Sequence, residues 1–219
     1  MRLHELFDDN LDEDWKHKLA AGAVGVASIF GTNYANKEPA TVRNAVTNQI
    51  KDLRAGVDHL KQGAMNAGIK GQELVHFLSQ AAHETLNFTR MAERGTSEYF
   101  TKKYDKSKNP RMAQILGNTE VGDGVKYRGR GYLHLTGRWN YEAAGKAIGQ
   151  PLGQNPDLMN DPAINLAASI WYWKNRVRAK VGNFTDVKAV TKAINPGMKG
   201  AKDRAAKFAQ FNNPSTTKK

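Results

Sequence analysis

Apolar residues recur at helical spacing through the first half of the chain. After Pro39 they follow one another every three or four positions, a pattern that predicts a helix with one buried face. The residues of this stripe are Val42, Val46, Ile50, Leu53, Val57 and Leu60. Three glycines between positions 63 and 71 interrupt the pattern, and a second helix is predicted from Gln72. Its apolar stripe comprises Leu74, Phe77, Leu78, Ala81 and Thr85.

Glu84 lies at the edge of this second stripe. At about 100° per residue it falls about 80° from the centre of the stripe, whereas His83 lies on the opposite face. A carboxyl group at such a border is partly removed from water, and burial raises the pKa of a carboxyl group. The pattern therefore predicts that Glu84 holds a proton, as an acid catalyst does.

Alternation replaces helical spacing between Tyr132 and Thr136. Gly129 and Gly131 precede it and favour a tight turn with close backbone approach to a ligand. A strand over residues 132–136 places Tyr132, His134 and Thr136 on one face. Leu133 and Leu135 then point into the core.

Another helix is predicted to begin at Asp161 and Pro162, the first as the capping residue and the second in the first turn. Its buried stripe comprises Ile164, Ala167, Ala168 and Trp171. Trp171 is therefore interpreted as a core residue.

The amino-terminal region differs from the rest of the chain. Residues 1–18 hold six acidic residues against Arg2, Lys16 and Lys18, and Leu19 to Phe30 is uncharged and apolar. Twelve apolar residues are fewer than the roughly 20 that a membrane-spanning helix needs, and an acidic start does not fit a secretory signal. We interpret this region as a buried or interfacial helix or an adaptor segment. A weak amino-terminal membrane signal is the alternative.

Composition limits the function without identifying it. With 219 residues the chain is long enough for one ordinary domain with extensions, and it has no cysteine for disulfides or thiolate zinc sites. The net charge of +12 predicts an anionic partner such as nucleic acid, anionic lipid or a cell-wall polymer. From Lys188 to Lys219 there are eight Lys or Arg against one acid, Asp203. A solvated basic face that only aids solubility is the alternative interpretation of this segment.

A second carboxylate, Glu93, follows Glu84 by nine positions. Two acids beside one cleft are the minimum equipment for glycoside hydrolysis. In a straight helix the two would lie about 13.5 Å apart along the axis, whereas an inverting pair is about 6.5 to 9.5 Å apart. The helix must therefore end or bend before Glu93, and the polar run from Asn87 to Arg90 allows an ending there. Glu98 is a nearby competitor for the second role.

Six motifs in a fixed order resemble glycoside hydrolase family 19, the chitinase-like lysozymes, and within it the compact endolysins of bacteriophages. They are His83-Glu84-Thr85, Glu93, the turn Tyr127-Arg128-Gly129-Arg130-Gly131, Asn155-Pro156-Asp157-Leu158, the Trp-rich helix, and Ile194-Asn195 followed by Arg204. The resemblance covers roughly residues 57–211. It implies a mainly α-helical, lysozyme-like α+β domain with a small β-hairpin beside the active-site cleft. The predicted division is an extension over 1–55, a catalytic domain over 56–211 and a basic tail over 212–219.

The resemblance also implies roles for single residues. Glu84 is the acid, Glu93 the base, and the hydroxyl of Thr136 holds the attacking water, with inversion at the cleaved carbon. The remaining residues predicted to bind substrate are Tyr127, Arg130, His134, Trp139, Asn140, Tyr141, Asn195 and Arg204. Core packing is the alternative for the three aromatic residues. The chain departs from the family twice: His134 stands where Gln is usual, and Pro196 where Gly usually follows the Asn.

The sequence lacks the motifs of metal-dependent and nucleotide-dependent enzymes. The segment His83 to Asn87 has no second histidine of a zinc-protease helix, and Gly129 and Gly131 lack the third glycine of a dinucleotide site. We therefore predict no metal and no cofactor. The favoured function is hydrolysis of peptidoglycan by a monomer. This enzyme is expected to be made in a host cytoplasm and to act on the cell wall in the periplasm, or to be carried in a virion. Alternatives are a chitinase, a non-catalytic virion or wall-binding protein, and, from charge alone, a nucleic-acid-binding protein.

Overall fold

The computed structural model describes residues 56–213. Predictions for the extension over 1–55 and for residues 214–219 of the basic tail lie outside the described residues. Within 56–213 the structure is mainly α-helical, as predicted, and no helix there is long and apolar enough to cross a membrane.

Nine α-helical segments follow one another in the described part of the chain. They are α1 (56–66), α2 (Gly71–Glu84), α3 (Ser97–Tyr104), α4 (Pro110–Leu116), α5 (Asp123–Lys126), α6 (Arg138–Ile148), α7 (Pro162–Tyr172), α8 (Val187–Ile194) and α9 (Ala201–Asn212). A 3₁₀ turn, Pro156–Asn160, precedes α7, and a π-helical turn, Trp173–Val177, and a 3₁₀ turn, Arg178–Lys180, follow it.

Helix α2 forms the centre of the larger of two apolar clusters. It packs along α9, and its apolar stripe is buried as predicted. The burial extends beyond the stripe to polar residues such as His76 and Gln80, because neighbouring helices cover α2 on most sides. A second cluster around Tyr141 and Leu152 fills the space between α6 and α7. The catalytic candidate Glu84 therefore ends a helix that the core holds rigidly.

The capping prediction for α7 is confirmed. The side chain of Asp161 accepts hydrogen bonds from the backbone N–H groups of Ala163 and Ile164, at 2.9 and 3.0 Å. In the predicted stripe Ala168 is fully buried, and Trp171 packs against the second cluster. Helix α7 thus has the start and the packing that the sequence indicates.

The predicted β-hairpin is not formed in the described residues. Residues 131–134 make a turn that one isolated bridge closes, between Arg130 and Leu135. His134 has φ +45° and Gly131 φ +85°, left-handed conformations that a regular strand excludes. The alternation also fails, because Tyr132 and Leu133 are both buried in the larger cluster. The alternating pattern marks a loop whose ends are anchored in two different cores.

Candidate active site

A left-handed turn separates the two glutamates. Helix α2 ends at Glu84, and the next residues include Leu86, Asn87 and Phe88 at φ +48°, +55° and +66°. Such backbone angles are costly for residues other than glycine, so neighbouring groups must stabilise this conformation. Thr85 does so: its hydroxyl donates to the carbonyl of Ala81 at 2.6 Å and accepts from the N–H of Phe88 at 2.9 Å. The helix therefore ends before Glu93, as predicted, but at Glu84 rather than within 87–90.

Backbone pairing carries Glu93 to the glycine-rich turn. Ala92 forms a bridge with Arg130, and the N–H of Glu93 donates to the carbonyl of Gly129 at 2.9 Å. A Cβ atom built on Gly129 would stand 3.2 Å from Glu93 Oε2 and 3.2 Å from Thr136 Oγ1. The carboxylate and the hydroxyl therefore meet beside this glycine, and a side chain there would fill the space between them.

A guanidinium and an imidazole face Glu84. Arg204, from α9, donates to Glu84 Oε1 at 2.5 Å and also contacts the side-chain oxygen of Gln80. His134 Nδ1 lies 3.4 Å from Glu84 Oε2. Arg204 is buried, and only 18 % of the Glu84 side chain is exposed. A partly buried carboxylate is thus paired with a fully buried guanidinium.

The pKa of Glu84 is lowered, not raised as its position on the helix predicts. Burial acts to raise the pKa, but the hydrogen bond with His134 and the charge of Arg204 outweigh it and bring the pKa to about 2. The sequence reveals the burial, whereas both side chains that lower the pKa come from distant parts of the chain. Without substrate, Glu84 is therefore ionised at neutral pH.

Glu93 is held by three side chains of α3. Lys103 Nζ donates to Oε1 at 2.7 Å, the hydroxyl of Tyr104 lies 3.0 Å from each carboxylate oxygen, and the hydroxyl of Tyr99 donates at 3.4 Å. Burial opposes the charge of Lys103, but its hydrogen bonds with Glu93 and the tyrosines raise its pKa overall. Glu93 therefore has a permanent cation beside one oxygen.

Thr136 is oriented to accept a hydrogen bond. Its hydroxyl donates to the backbone carbonyl of His134 at 2.7 Å, which leaves its lone pairs available. A water between Thr136 Oγ1 and Glu93 would donate one proton to each. The arrangement suits the predicted role of Thr136, although the role itself stays a prediction.

Three residues predicted to bind substrate are buried instead. Tyr127 and Tyr141 are each 0 % exposed, and Arg130 is 3 % exposed. The hydroxyl of Tyr127 donates to the carbonyl of Gly153, and Arg130 pairs with Asp157 at 2.7 Å. We correct the prediction for these three: they are buried, they bond to other groups of the protein, and they support the glycine-rich turn.

The other residues predicted to bind substrate differ in exposure and in contacts. Trp139 is 46 % exposed, and Asn140 donates to the carbonyl of Thr136 at 2.8 Å, which ties both to the site. The side chain of Asn195 accepts from the N–H of Gly197 at 3.1 Å, within its own turn. Arg204 contacts Glu84 rather than open solvent, so we correct its role from binding sugar to positioning the carboxylate.

Sequence reasoning missed the groups that hold the glutamates. Gln80 stands one turn before Glu84 in α2, and Lys103 and Tyr104 lie in a short helix ten and eleven residues beyond Glu93. Two aromatic hydroxyls and a lysine so close to an acid in the chain were an available signal. Their convergence on Glu93 depends on how α3 turns back.

Fold and site together define a helical glycosidase with two glutamates. The chain belongs to glycoside hydrolase family 19, because the family model described as chitinase class I matches residues 55–209. The chain is also similar to a glycosyl hydrolase family 19 domain-containing protein of Haemophilus influenzae, with 32 % identity over 184 residues that cover 74 % of this chain and 84 % of that protein.

Plant endochitinases match a shorter part of the chain. Acidic endochitinase Q of Nicotiana tabacum is 38 % identical over 104 residues, which cover 47 % of this chain and 34 % of that enzyme. The chain thus spans about a third of the length of the plant chitinases that it matches. Chitinase C of Streptomyces griseus has a similar structure, with a TM-score of 0.53 and 25 % identity over 72 % of this chain and 81 % of that one.

His134→Gln tests the contact at Glu84, with a change to the usual family residue. A histidine is charged only when it is protonated, and a protonated imidazole 3.4 Å from Glu84 Oε2 favours the ionised carboxylate. We therefore expect the wild-type enzyme to lose activity more steeply than the variant as the pH falls, with more activity left in the variant near pH 5.5. Superimposable profiles of kcat/KM from about pH 5 to 8 would remove His134 from the mechanism.

Proposed function

We propose that the protein is a peptidoglycan hydrolase of the endolysin type, which cleaves β-1,4 glycan bonds with inversion. One observation supports this mechanism most directly: Glu93 and Thr136 both border Gly129. His134 also borders Gly129, and it contacts Glu84. Glu84 donates the proton to the leaving oxygen, and Glu93 takes a proton from the water that Thr136 holds.

The low pKa of Glu84 is compatible with this role once a glycan is bound. Burial is already the largest influence on this carboxyl group and favours its neutral form. A sugar ring that displaces water from Glu84 adds to that burial, and it does so only in the complex. The proton is then held most firmly when the leaving oxygen is present to receive it.

Charge supports peptidoglycan as the substrate. Bacterial cell walls are anionic, and the chain carries a net charge of +12. Four lysines between positions 188 and 202 are exposed: Lys188, Lys192, Lys199 and Lys202. Arg204 is buried and Lys207 contacts Asn87, so the basic segment contributes a smaller surface than its composition predicts. Synthesis in a host cytoplasm and action on the wall are part of the same proposal.

Digestion of purified Gram-negative sacculi tests this function. We expect soluble muropeptides with a new reducing end, which mass spectrometry after borohydride reduction assigns to one sugar. Chitin oligosaccharides are the comparison substrate, because the names of the relatives favour a chitinase as the second candidate. Cleavage of chitin with intact sacculi left undigested would replace the proposal by that alternative.

Salt dependence tests the exposed lysines. If they hold the enzyme on an anionic wall, activity on sacculi should fall steeply as salt rises, because ionic attraction is screened over about 8 Å at physiological ionic strength. Activity on a small neutral oligosaccharide should fall much less. Equal sensitivity on both substrates would make the segment an ordinary solvated face.

A further inference from the structure

An arginine without an acidic partner lies on the exposed tryptophan of the site. The guanidinium carbon of Arg176 is 3.6 Å from the centre of the Trp139 ring, and the indole is still 46 % exposed. Within residues 56–213 the side chain of Arg176 forms no hydrogen bond and no ion pair, although the residue is half-buried. Burial lowers the pKa of Arg176, and Tyr172 offsets part of this decrease.

Four buried or half-buried arginines of the same domain are paired with carboxylates. The pairs are Arg130 with Asp157, Arg138 with Asp123, Arg178 with Glu73, and Arg204 with Glu84. Charged groups that are partly removed from water are normally compensated in this way. The side-chain donors of Arg176 are free beside the exposed Trp139, so an anion of the substrate can compensate its charge.

Local structure places Arg176 against the stretch that follows Thr136. It belongs to the π-helical turn Trp173–Val177, a rare conformation that occurs often at functional sites. Tyr172, one turn earlier, is close enough for the charges of both Glu84 and Arg176 to act on its hydroxyl. Trp139 comes three residues after Thr136, and the neighbouring Asn140 anchors that stretch to the carbonyl of Thr136. The stacked pair thus connects the turn after α7 with the stretch that follows Thr136.

The chemistry of the stacked pair selects a planar anion. An aromatic face orients the plane of a guanidinium, and its edge then presents N–H donors in a fork that matches a carboxylate. A chitin chain is neutral and has no such group. Peptidoglycan has carboxylates on its stem peptides, and on the lactyl groups of muramic acid where the peptide is absent.

We propose that Arg176, held over Trp139, binds a carboxylate of the glycan and selects an acidic glycan over a neutral one. This inference rests on the proposed function and names the group through which the enzyme distinguishes its substrate. Trp139 supplies the stacking surface, and Arg176 supplies the charge.

Kinetics with Arg176→Leu, Arg176→Lys and the control Arg111→Leu test the proposal. Arg111 is an exposed arginine of α4, so its replacement removes the same charge elsewhere. The substrates are peptide-free glycan strands, the same strands with their carboxyl groups reduced to alcohols, intact uncrosslinked strands, and chitin oligosaccharides. Hydrogen bonds to charged groups contribute enough for about a tenfold rise in KM on acidic strands with Arg176→Leu.

The expected result is specific to acidic substrates. For Arg176→Leu, KM on reduced strands and on chitin should stay unchanged, and kcat should change little. The KM of Arg176→Lys on acidic strands should lie between those of wild type and Arg176→Leu. Arg111→Leu should match wild type. An effect on peptide-free strands assigns the anion to the lactyl group, and an effect on intact strands alone assigns it to the peptide. An equal effect on neutral and acidic substrates, or none, overturns the proposal.

Binding separates this inference from the proposed function. The affinity of Glu84→Gln for peptide-free strands, with and without Arg176→Leu, needs no cleavage. A tenfold loss on adding Arg176→Leu supports the carboxylate site even if the wild type cleaves only chitin, in which case the proposed function fails alone. No loss of affinity overturns the site while cleavage of sacculi still stands.

Discussion

Glu84→Gln is expected to lower kcat on glycan by at least about 10² to 10⁴, the usual contribution of general acid catalysis. Glutamine keeps the shape and an oxygen that accepts from Arg204, but it has no proton to give to the leaving oxygen. A substrate with an activated aryl leaving group needs no such proton, so the variant should retain much more of its activity there. Wild-type rates on glycan would contradict the assignment of Glu84.

The same change has a separate effect on stability. Arg204 is fully buried and loses its counter-charge, so we expect the free energy of unfolding to fall by about 1 to 3 kcal/mol at neutral pH. The folded pKa of Glu84 is about 2, below an unfolded value near 4.3. The stabilisation is therefore present above about pH 4.3 and is lost as the pH falls towards 2. Denaturation of both proteins across this range should show the difference shrinking, and circular dichroism controls for folding.

Glu93→Gln is expected to impair hydrolysis severely, whereas Glu98→Gln should not. Glu93 stands beside Thr136 at Gly129, while Glu98 is fully exposed in the first turn of α3. Loss of the base affects the attack of water whatever the leaving group, so an aryl substrate should not restore the Glu93 variant. Added azide, a nucleophile that needs no deprotonation, should restore it in part and should give a glycosyl azide product.

The opposite ranking of these variants would move the base to Glu98. Rescue of Glu93→Gln by the aryl substrate alone would exchange the roles of the two glutamates. Glu93→Gln also leaves Lys103 without its carboxylate partner, which can lower the stability of the variant. Thermal unfolding of the variant is the control for this loss.

The sequence determined the elements whose information is local. The stripe of α2, the start of α7 at Asp161 and the need for a break between Glu84 and Glu93 follow from spacing, capping and helix dimensions. These features depend on residues that are close to one another in the chain. The order of the motifs likewise predicts the family, which the family model confirms.

Tertiary structure decided what the local pattern left ambiguous. The alternation over 132–136 fits a strand, but burial of Tyr132 and Leu133 in one cluster and of Leu135 in the other requires a left-handed loop. Tyr127 and Tyr141 are amphipathic residues that suit a cleft or a core, and packing assigned both to the core.

The protonation of Glu84 shows the limit most clearly. Its place on α2 predicts burial, and burial is the strongest influence on its pKa. The direction of the shift is nevertheless set by Arg204, 120 residues away in sequence, and by His134, whose left-handed backbone brings its ring within 3.4 Å of the carboxylate. Electrostatic energies depend on distances between charges, and only the folded chain fixes the distances between groups so far apart in sequence.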